Sequence, residues 1–325
     1  MIVLTVSDGS PTNITGSVVT IGNFDGVHRG HAELFRHLKD RGDKLGLPSV
    51  AVTFEPHPLA VLAPDLAPPL ITTFSQKVEL IEQAGVDYLA VIGFTREFSQ
   101  IPAESFVRSH LCAAFGMRHI IIGHDYAFGK DRLGNYATLA AMGAECGFSL
   151  EDLEPVGDSG IIYSSSLARR LIASGDMSAA AAILGRYHVI SGQVAHGREI
   201  GSMLGFPTAN IVTGNQLAPP DGVYAVMVSV EGQLIKGACN IGHNPTFAGN
   251  NRTIEVFLLD YSGQLYDKTV AICFVQRLRD EQKFSGPEAL IKAIDNDVAS
   301  TRAILSEVDG DMVKPLSGAA NWSVV

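Results

Sequence analysis

The sequence predicts a Rossmann-like α/β unit built on a parallel sheet, followed by a small antiparallel β-barrel and one C-terminal helix. Three observations carry that expectation. The first half alternates short apolar, β-rich runs with helical patterns. From about His188 onward the pattern changes to short strands separated by turn residues. The last clear segment, Pro287 to Glu307, repeats apolar residues at helical spacing, with Leu290, Ile291, Ile294, Val298, Ile304 and Leu305 as its core stripe. A chain of 325 residues is too long for one comfortable core, which fits two domains.

In chain order, Ser17–Ile21 reads as a strand that runs through a glycine-rich turn into a helix near Gly30–Arg41. Ser49–Phe54 is a second strand, stopped by Glu55-Pro56-His57-Pro58. Helices near Ser75–Ala84, Ala103–Phe115 and Tyr136–Cys146 alternate with strands at Tyr88–Ile92, His119–Ile122 and Phe148–Val156. Ligands of such folds bind beyond the C-terminal strand ends. Two short helices, Ser166–Ala173 and Ser178–Leu184, precede a boundary at Gly185-Arg186, giving domains of residues 1–185 and 186–309. The barrel strands are expected at His188–Val194, Gly222–Val230, Gln233–Ile241, Arg252–Leu259 and Gln264–Arg277. Gly197–Thr208 and Gly242–Asn251 are the long-loop candidates. Residues 310–325 lack a clear period and are expected to be a flexible tail.

The net charge of −10 argues against general nucleic-acid binding, which needs a basic face. It leaves room for a nucleotide substrate, since helix N-termini and a few placed cations hold phosphates on an acidic protein. Cys112, Cys146, Cys239 and Cys273 show no CxxC spacing, so they are expected as reduced, mostly buried thiols rather than a zinc cluster. The N-terminal stretch has no basic n-region and no apolar run is long enough to span a bilayer, so the cytoplasm is the expected compartment.

The first chemical segment is GNFDGVHRGH, Gly22 to His31. It leaves a strand and enters a helix. Its glycines let backbone pass close to a ligand. His28 and His31 are three apart and share one face at the helix start, where imidazoles and helix N–H groups suit phosphate oxygens. The plain alternative is a glycine-rich turn with two surface histidines. A second segment, Ser164-Ser165-Ser166-Leu167-Ala168-Arg169, places hydroxyls and an arginine at another helix start. Taken alone, that run is equally an N-cap.

These segments, with TFEPHP (Thr53–Pro58) and IIGHDYAFGKDRLGN (Ile120–Asn135), resemble the adenylyltransferase module of prokaryotic bifunctional riboflavin kinase/FAD synthetases, within the HxGH nucleotidyltransferases. The resemblance implies that His28 and His31 engage ATP phosphates. Gly22, Phe24, Asp25, Gly26 and Gly30 would line the nucleotide with them. It implies that Arg169, with Ser164, Ser165 and Ser166, stabilises departing pyrophosphate. Asp125 and Phe128 would line the nucleotide and flavin site, and Phe54, His57 and Pro58 would lie near the flavin. His124 and the SSSLAR wording depart from the family's usual residues.

The second segment is HGREIGSMLGFPTANI, His196 to Ile211. Gly197, Gly201 and Gly205 would allow a mobile loop, and Thr208 and Asn210, two apart on an extended run, face one side. A hydroxyl and a carboxamide oxygen are hard ligands suited to Mg²⁺. There is no P-loop and no protein-kinase motif set. Glu255, between Ile254 and Val256, is a candidate base for a phosphate-accepting alcohol, or else a plain solvated strand glutamate.

LGFPTAN, DGVYAV, NIGHNPTF, TIEVFLLD and RLRDEQKF are similar to the riboflavin kinase module of the same family, in the same order, so the likeness runs from about Val18 to Leu305. It implies Mg²⁺–ATP at Thr208 and Asn210, with Gly197, Gly205 and Pro207 along the nucleotide. It implies Glu255 as base for the riboflavin 5′-hydroxyl, and Phe284 and Leu290 beside the flavin ring. Ser202 stands where the family has a cation, a place Arg198 could fill. The whole chain would then turn riboflavin into FMN, and FMN into FAD, with ATP as donor in both steps. A single-activity HxGH adenylyltransferase with an inert barrel is one alternative, and a flavin-binding protein without turnover is another. The retained Thr208, Asn210 and Glu255 oppose the first. His28, His31 and Arg169, with Glu255, oppose the second.

Overall fold

In the computed structural model, residues 1–6, 12–124, 126–196, 205–246 and 249–318 are described. They divide into two compact units. Among the described residues, one comprises those of 1–69 and 77–163, the other those of 70–76 and 164–318.

In the first unit the continuous apolar runs become strands, the central ones buried on both faces as a helix-covered parallel sheet requires and the two edge strands more exposed. These are β1 (Ile2–Val6), β2 (Ser17–Ile21), β3 (Ser49–Glu55), β4 (Tyr88–Gly93), β5 (Met117–Gly123) and β6 (Ser149–Leu153). Their order is β1-β4-β3-β2-β5-β6, all pairs parallel. β1 was not expected from the sequence, because its five residues are short and stand apart from any strand–helix repeat. The helices are α1 (Arg29–Leu45), α2 (Pro58–Leu62), α3 (Phe74–Gln83), α4 (Ala103–Phe106), which continues as a π-helical turn over Val107–Ala113, and α5 (Tyr136–Cys146). The core joins Val19, Val50, Val52, Ile120 and Ile122 of the sheet to Phe106, Leu111, Phe115 and Leu139.

The second unit opens with α6 (Ser165–Ser174) and α7 (Met177–Leu184). A closed barrel follows, of β9 (His188–Ala195), β10 (Thr208–Thr213), β11 (Gly222–Val230), β12 (Gln233–Thr246), β13 (Gly249–Leu258) and β14 (Thr269–Arg279). Strands β7 (Gly157–Asp158) and β8 (Ile161–Ile162) form a separate hairpin in the first unit. β10 is a sixth barrel strand where the sequence showed only the end of a loop. The Gly242–Asn251 stretch, expected as a loop, instead extends the β12–β13 ladder to Thr246↔Gly249.

The C-terminal helix, α8 (Pro287–Ile304), keeps the expected apolar stripe at its end, where Leu305 is buried with Ile304 packed beside it, and departs from it in the turns before. Its most buried residues are Asp297 and Thr301, while Leu290, Ile291, Ile294 and Val298 are only half-buried. Asp297 binds the Arg279 guanidinium through two parallel bonds, Nε to Oδ1 at 2.9 Å and Nη2 to Oδ2 at 2.8 Å. A carboxylate on the packed face is tolerable because this fork satisfies both oxygens. Within the segment expected to be loose, residues 310–318 are anchored at two points, with Gly310, Asp311, Lys314 and Ser317 exposed between and around them. Val313 and Leu316 are buried, and the Leu316 carbonyl accepts the Ser191 hydroxyl. The remainder lies outside the described residues.

His188 is fully buried at the start of β9, with Nε2 3.1 Å from the Leu217 carbonyl oxygen. Burial lowers its pKa from the ordinary 6.5 to about 4. Between those values the unfolded chain takes up a proton that the folded chain refuses. Stability is therefore full above pH 6.5 and falls as pH drops toward 4, by on the order of 3 kcal/mol from this group. Urea unfolding followed from pH 7 to pH 4 should show that slope, and His188→Gln should flatten it; equal slopes in both proteins would refute the assignment.

Candidate active sites

The turn from β2 to α1 packs backbone, histidines and Phe24 into little space. Phe24 is fully buried at φ +50°, and Gly22 has no side chain because a Cβ there would lie 2.6 Å from the Phe24 ring. His28 is the N-cap of α1: its Nδ1 accepts the Gly30 N–H at 3.1 Å. One of the N–H groups expected to face phosphate is therefore already occupied. His31 stacks on His28 with centroids 3.8 Å apart and 25° between ring planes, and the Phe24 and His31 rings meet edge-to-face with centroids 5.3 Å apart. The stack explains Gly30, where a Cβ would stand 3.0 Å from the His28 ring.

His31 titrates well below the usual imidazole range, first through burial, then through His28 and Lys77. The ring is neutral near pH 7. Its Nδ1 is out of solvent with no hydrogen-bond partner. Asp25 and Gly26 are buried beside the pair. Arg29 points away, donating to the Tyr163 hydroxyl at 2.8 Å.

Of the expected flavin residues in this unit, Phe54 and Phe128 belong to the core. They are joined through Phe98 and Phe106 in a run of rings with centroids about 6 Å apart. His57 and Pro58 are half-exposed at the start of α2. His57 caps that helix through Nδ1 and the Leu59 N–H at 3.2 Å, and its Nε2 is 3.3 Å from the Asn23 amide nitrogen. The unusual His124 pairs with Asp152 at 2.9 Å. Asp125 lies outside the described residues.

In the second unit Ser164 is the N-cap of α6, its Oγ accepting the Leu167 N–H at 3.2 Å, so the capping reading holds for that serine. Ser165 and Arg169 are half-buried and Ser166 exposed at the same helix start.

The barrel gathers the remaining candidates by register. Ile254, Val256 and Leu258 are buried inside it, so Thr253, Glu255 and Phe257 project outward. Asn210 pairs with Glu255 across β10–β13, and Glu255 pairs with Asn240 across β13–β12. Directly paired residues share a face. The row continues through Val223 of β11 to Arg279 of β14. Glu255 therefore stands between two carboxamides, with strands spaced about 4.8 Å apart. Thr208 shares Asn210's face and pairs with Phe257, whose ring Phe206 meets edge-on at 5.6 Å. At the far end, the Arg279 fork held by Asp297 lies 5.5 Å from the Phe284 ring centroid. Leu290 is half-buried on α8, and Gly205 and Pro207 are exposed before β10. Gly197, Arg198 and Ser202 lie outside the described residues.

Asn240, Arg279 and Lys77 escaped the sequence reading. Asn240 sits in the noticed NIGHNPTF run, and counting strand alternation from Glu255 would have found it. Among the described residues no cluster of three His, Cys, Asp or Glu side chains could hold a metal, and no helix is long and apolar enough to cross a membrane.

A histidine-capped helix start at the end of a parallel strand, and a barrel face carrying a carboxylate between carboxamides, define a transferase of phosphate-bearing substrates with two modules. The FAD synthetase family model matches residues 10–167 and the riboflavin kinase model residues 184–305. Bifunctional riboflavin kinase/FMN adenylyltransferases of Pseudomonas fluorescens, Escherichia coli K12 and Bacillus subtilis 168 are 39%, 37% and 35% identical. The matches span 89%, 88% and 86% of this chain and 93%, 92% and 90% of those proteins. A crystal structure from Streptococcus pneumoniae, described as a macrolide-efflux protein, superposes with a TM-score of 0.85 at 29% identity, over 93% of this chain and 99% of that one. The chain belongs to the bifunctional riboflavin kinase/FMN adenylyltransferase family.

Gly30→Ala should push the His28 ring off its cap and out of the stack. FAD formation should fall while FMN formation and far-UV circular dichroism stay as in the parent; unchanged FAD formation would show that the stacked geometry is dispensable.

Proposed function

We propose that this chain makes FMN from riboflavin and FAD from FMN, with ATP as phosphoryl donor in the first step and adenylyl donor in the second, and that residues 1–185 and 186–309 divide the two activities. The observation that carries the kinase half is the register row Asn210–Glu255–Asn240 on the outer barrel face. Glu255 takes the proton of the riboflavin 5′-hydroxyl as its oxygen attacks the γ-phosphorus of ATP, and ADP leaves. The residues suit a magnesium ion that arrives with the nucleotide. Thr208 and Asn210 offer neutral, hard oxygens, and the phosphates supply the anionic ones. Bound there, the ion would neutralise phosphate charge. Phe284, steadied beside Arg279, and Leu290 flank the flavin.

For adenylyl transfer the nucleophile is a phosphate oxygen of FMN, so the protein needs no nucleophile of its own. It attacks the α-phosphorus of ATP and pyrophosphate leaves. His28 and His31 donate hydrogen bonds to the phosphates beside Gly22, Phe24, Asp25, Gly26 and Gly30. At the start of α6 the hydroxyls of Ser164, Ser165 and Ser166 and the Arg169 guanidinium are donors of the kind pyrophosphate needs. Catalysis here is orientation and charge stabilisation. His57 and Pro58 hold the flavin, while Phe54 and Phe128 shape the pocket from within the core.

One assay with two substrates tests both halves. Glu255→Gln keeps size and hydrogen bonding but cannot take a proton, and should lower FMN formation by roughly 100- to 10,000-fold. With FMN supplied, the same variant should make FAD at close to the parent rate. The double substitution His28→Ala, His31→Ala should do the reverse, losing on the order of 100-fold or more in FAD formation with riboflavin phosphorylation intact. Unchanged riboflavin turnover in Glu255→Gln would return Glu255 to a plain strand glutamate.

A further inference from the structure

Lys77 lies on α3, outside every motif, yet its side chain is nearly closed to solvent. Lysines are rarely buried without a reason. Its Nζ is 3.5 Å from the Asn23 carbonyl oxygen and 3.7 Å from the Glu55 carboxylate, and it interacts electrostatically with Asp25 and with His31. Three separate segments, the turn after β2, the end of β3 and α3, therefore converge on one ammonium.

That turn needs anchoring. Phe24 and Val27 have φ +50° and +37°, a region that side-chain-bearing residues rarely occupy and β-branched ones least. Such backbone persists only where its surroundings over-determine it. The Asn23 carbonyl, one residue before the strained stretch, accepts both the Lys77 ammonium and the Thr53 hydroxyl, the latter at 3.3 Å. His28, which caps α1 and stacks on His31, follows directly on Val27.

We propose that Lys77 is a positioning residue for adenylyl transfer, tying the Gly22–Val27 turn to α3 and β3 so that His28 and His31 meet the phosphates in register. The proposal rests on the reading of the histidine pair given above. Burial pushes the Lys77 pKa down, and Glu55, then Asp25, oppose that push. The charged groups that bear on His31 are His28 from its own helix start and Lys77 from α3, and Glu55 and Asp25 bear on the lysine.

The full-length chain is assayed with FMN and ATP as Lys77→Met, Lys77→Arg and the parent, with riboflavin phosphorylation as internal control. Lys77→Met should lower kcat for FAD formation by on the order of 10- to 100-fold, more than it raises KM. FMN formation should be unchanged, and Lys77→Arg should recover most of the loss. The acid limb of the kcat profile should move to higher pH in Lys77→Met, because His31 loses a neighbouring cation; a purely structural lysine would leave that limb in place. Parent-like kcat and acid limb in Lys77→Met, while the double histidine variant is inactive, would overturn this proposal alone. Normal FAD formation in the double histidine variant would overturn the reading beneath it. If Lys77→Met does not fold, Glu55→Gln and Lys77→Arg decide: a loss in the first with near-parent activity in the second supports the proposal, and parent-like rates in both refute it.

Discussion

The structure of the first unit turns on one imidazole held in two interactions at once. The His28 Nδ1 closes the first turn of α1, and the same ring forms one plate of a stack with His31. An N-cap with a small side chain would satisfy the Gly30 N–H equally well, at a typical stabilisation of about 1 kcal/mol. It would leave His31 without its stacking partner, with the edge-to-face Phe24 ring beside it. The ring must therefore sit where a helix begins, and the helix must begin at the C-terminal end of a parallel strand. There the His28 ring leaves no room for a Cβ at Gly30, the Phe24 ring leaves none at Gly22, and Phe24 and Val27 take left-handed backbone. Local strain concentrates where geometry is over-determined, and the core around Phe24 and Phe35 compensates for it.

The barrel solves a different problem with a simpler device. Antiparallel pairing fixes which residues stand abreast, and alternation fixes which face they take. A slip of one residue in β13 would turn Glu255 into the barrel interior and expose Ile254 and Val256. The buried apolar set thus guards the register of the polar row. The ladder also reaches Arg279, which the Asp297 fork fixes, and carries the alignment on to Phe284. Removing one partner of such a shielded pair is costly because it strands the other charge, which makes the far end of the row stiff.

How much of this was legible in the sequence depends on the range of the interaction concerned. The strand–helix alternation, the barrel turns and the pairing of Thr208 with Asn210 on one face are local periodicities, and these were readable. So was the helix start at His28, because a glycine-rich turn between an apolar run and an amphipathic one leaves few choices. Lys77 was not readable, since nothing within α3 distinguishes it from a surface lysine; its meaning comes from Asn23 and Glu55, some fifty and twenty residues away. Asp297 was missed for a related reason. The helical stripe counted apolar residues, whereas the packed face is set by an arginine on β14. Phe54 and Phe128 looked like ligand contacts because they sit inside motifs, but the run of rings through Phe98 and Phe106 assigns much of their surface to the core.

An acidic chain that handles highly charged phosphates must also avoid repelling them. The two sites share an answer that does not depend on net charge. His31 is neutral, Asn210, Asn240 and Thr208 are neutral, and Ser164 to Ser166 offer hydroxyls at a helix start. Hydrogen-bond donors and helix termini act at short range, and their partial charges are set by covalent geometry rather than by titration. Besides Arg169, two placed cations are Lys77 between carboxylates and Arg279 in a carboxylate fork. Each is balanced within its own cluster, so the −10 of the whole chain creates no local conflict. A buried, balanced cation is also poorly screened by salt, which keeps such an alignment insensitive to ionic strength. The same economy is why an acidic composition argues against general nucleic-acid binding yet leaves mononucleotides open: a polymer of phosphates needs an extended basic surface, and a single triphosphate needs only a few well-aimed donors.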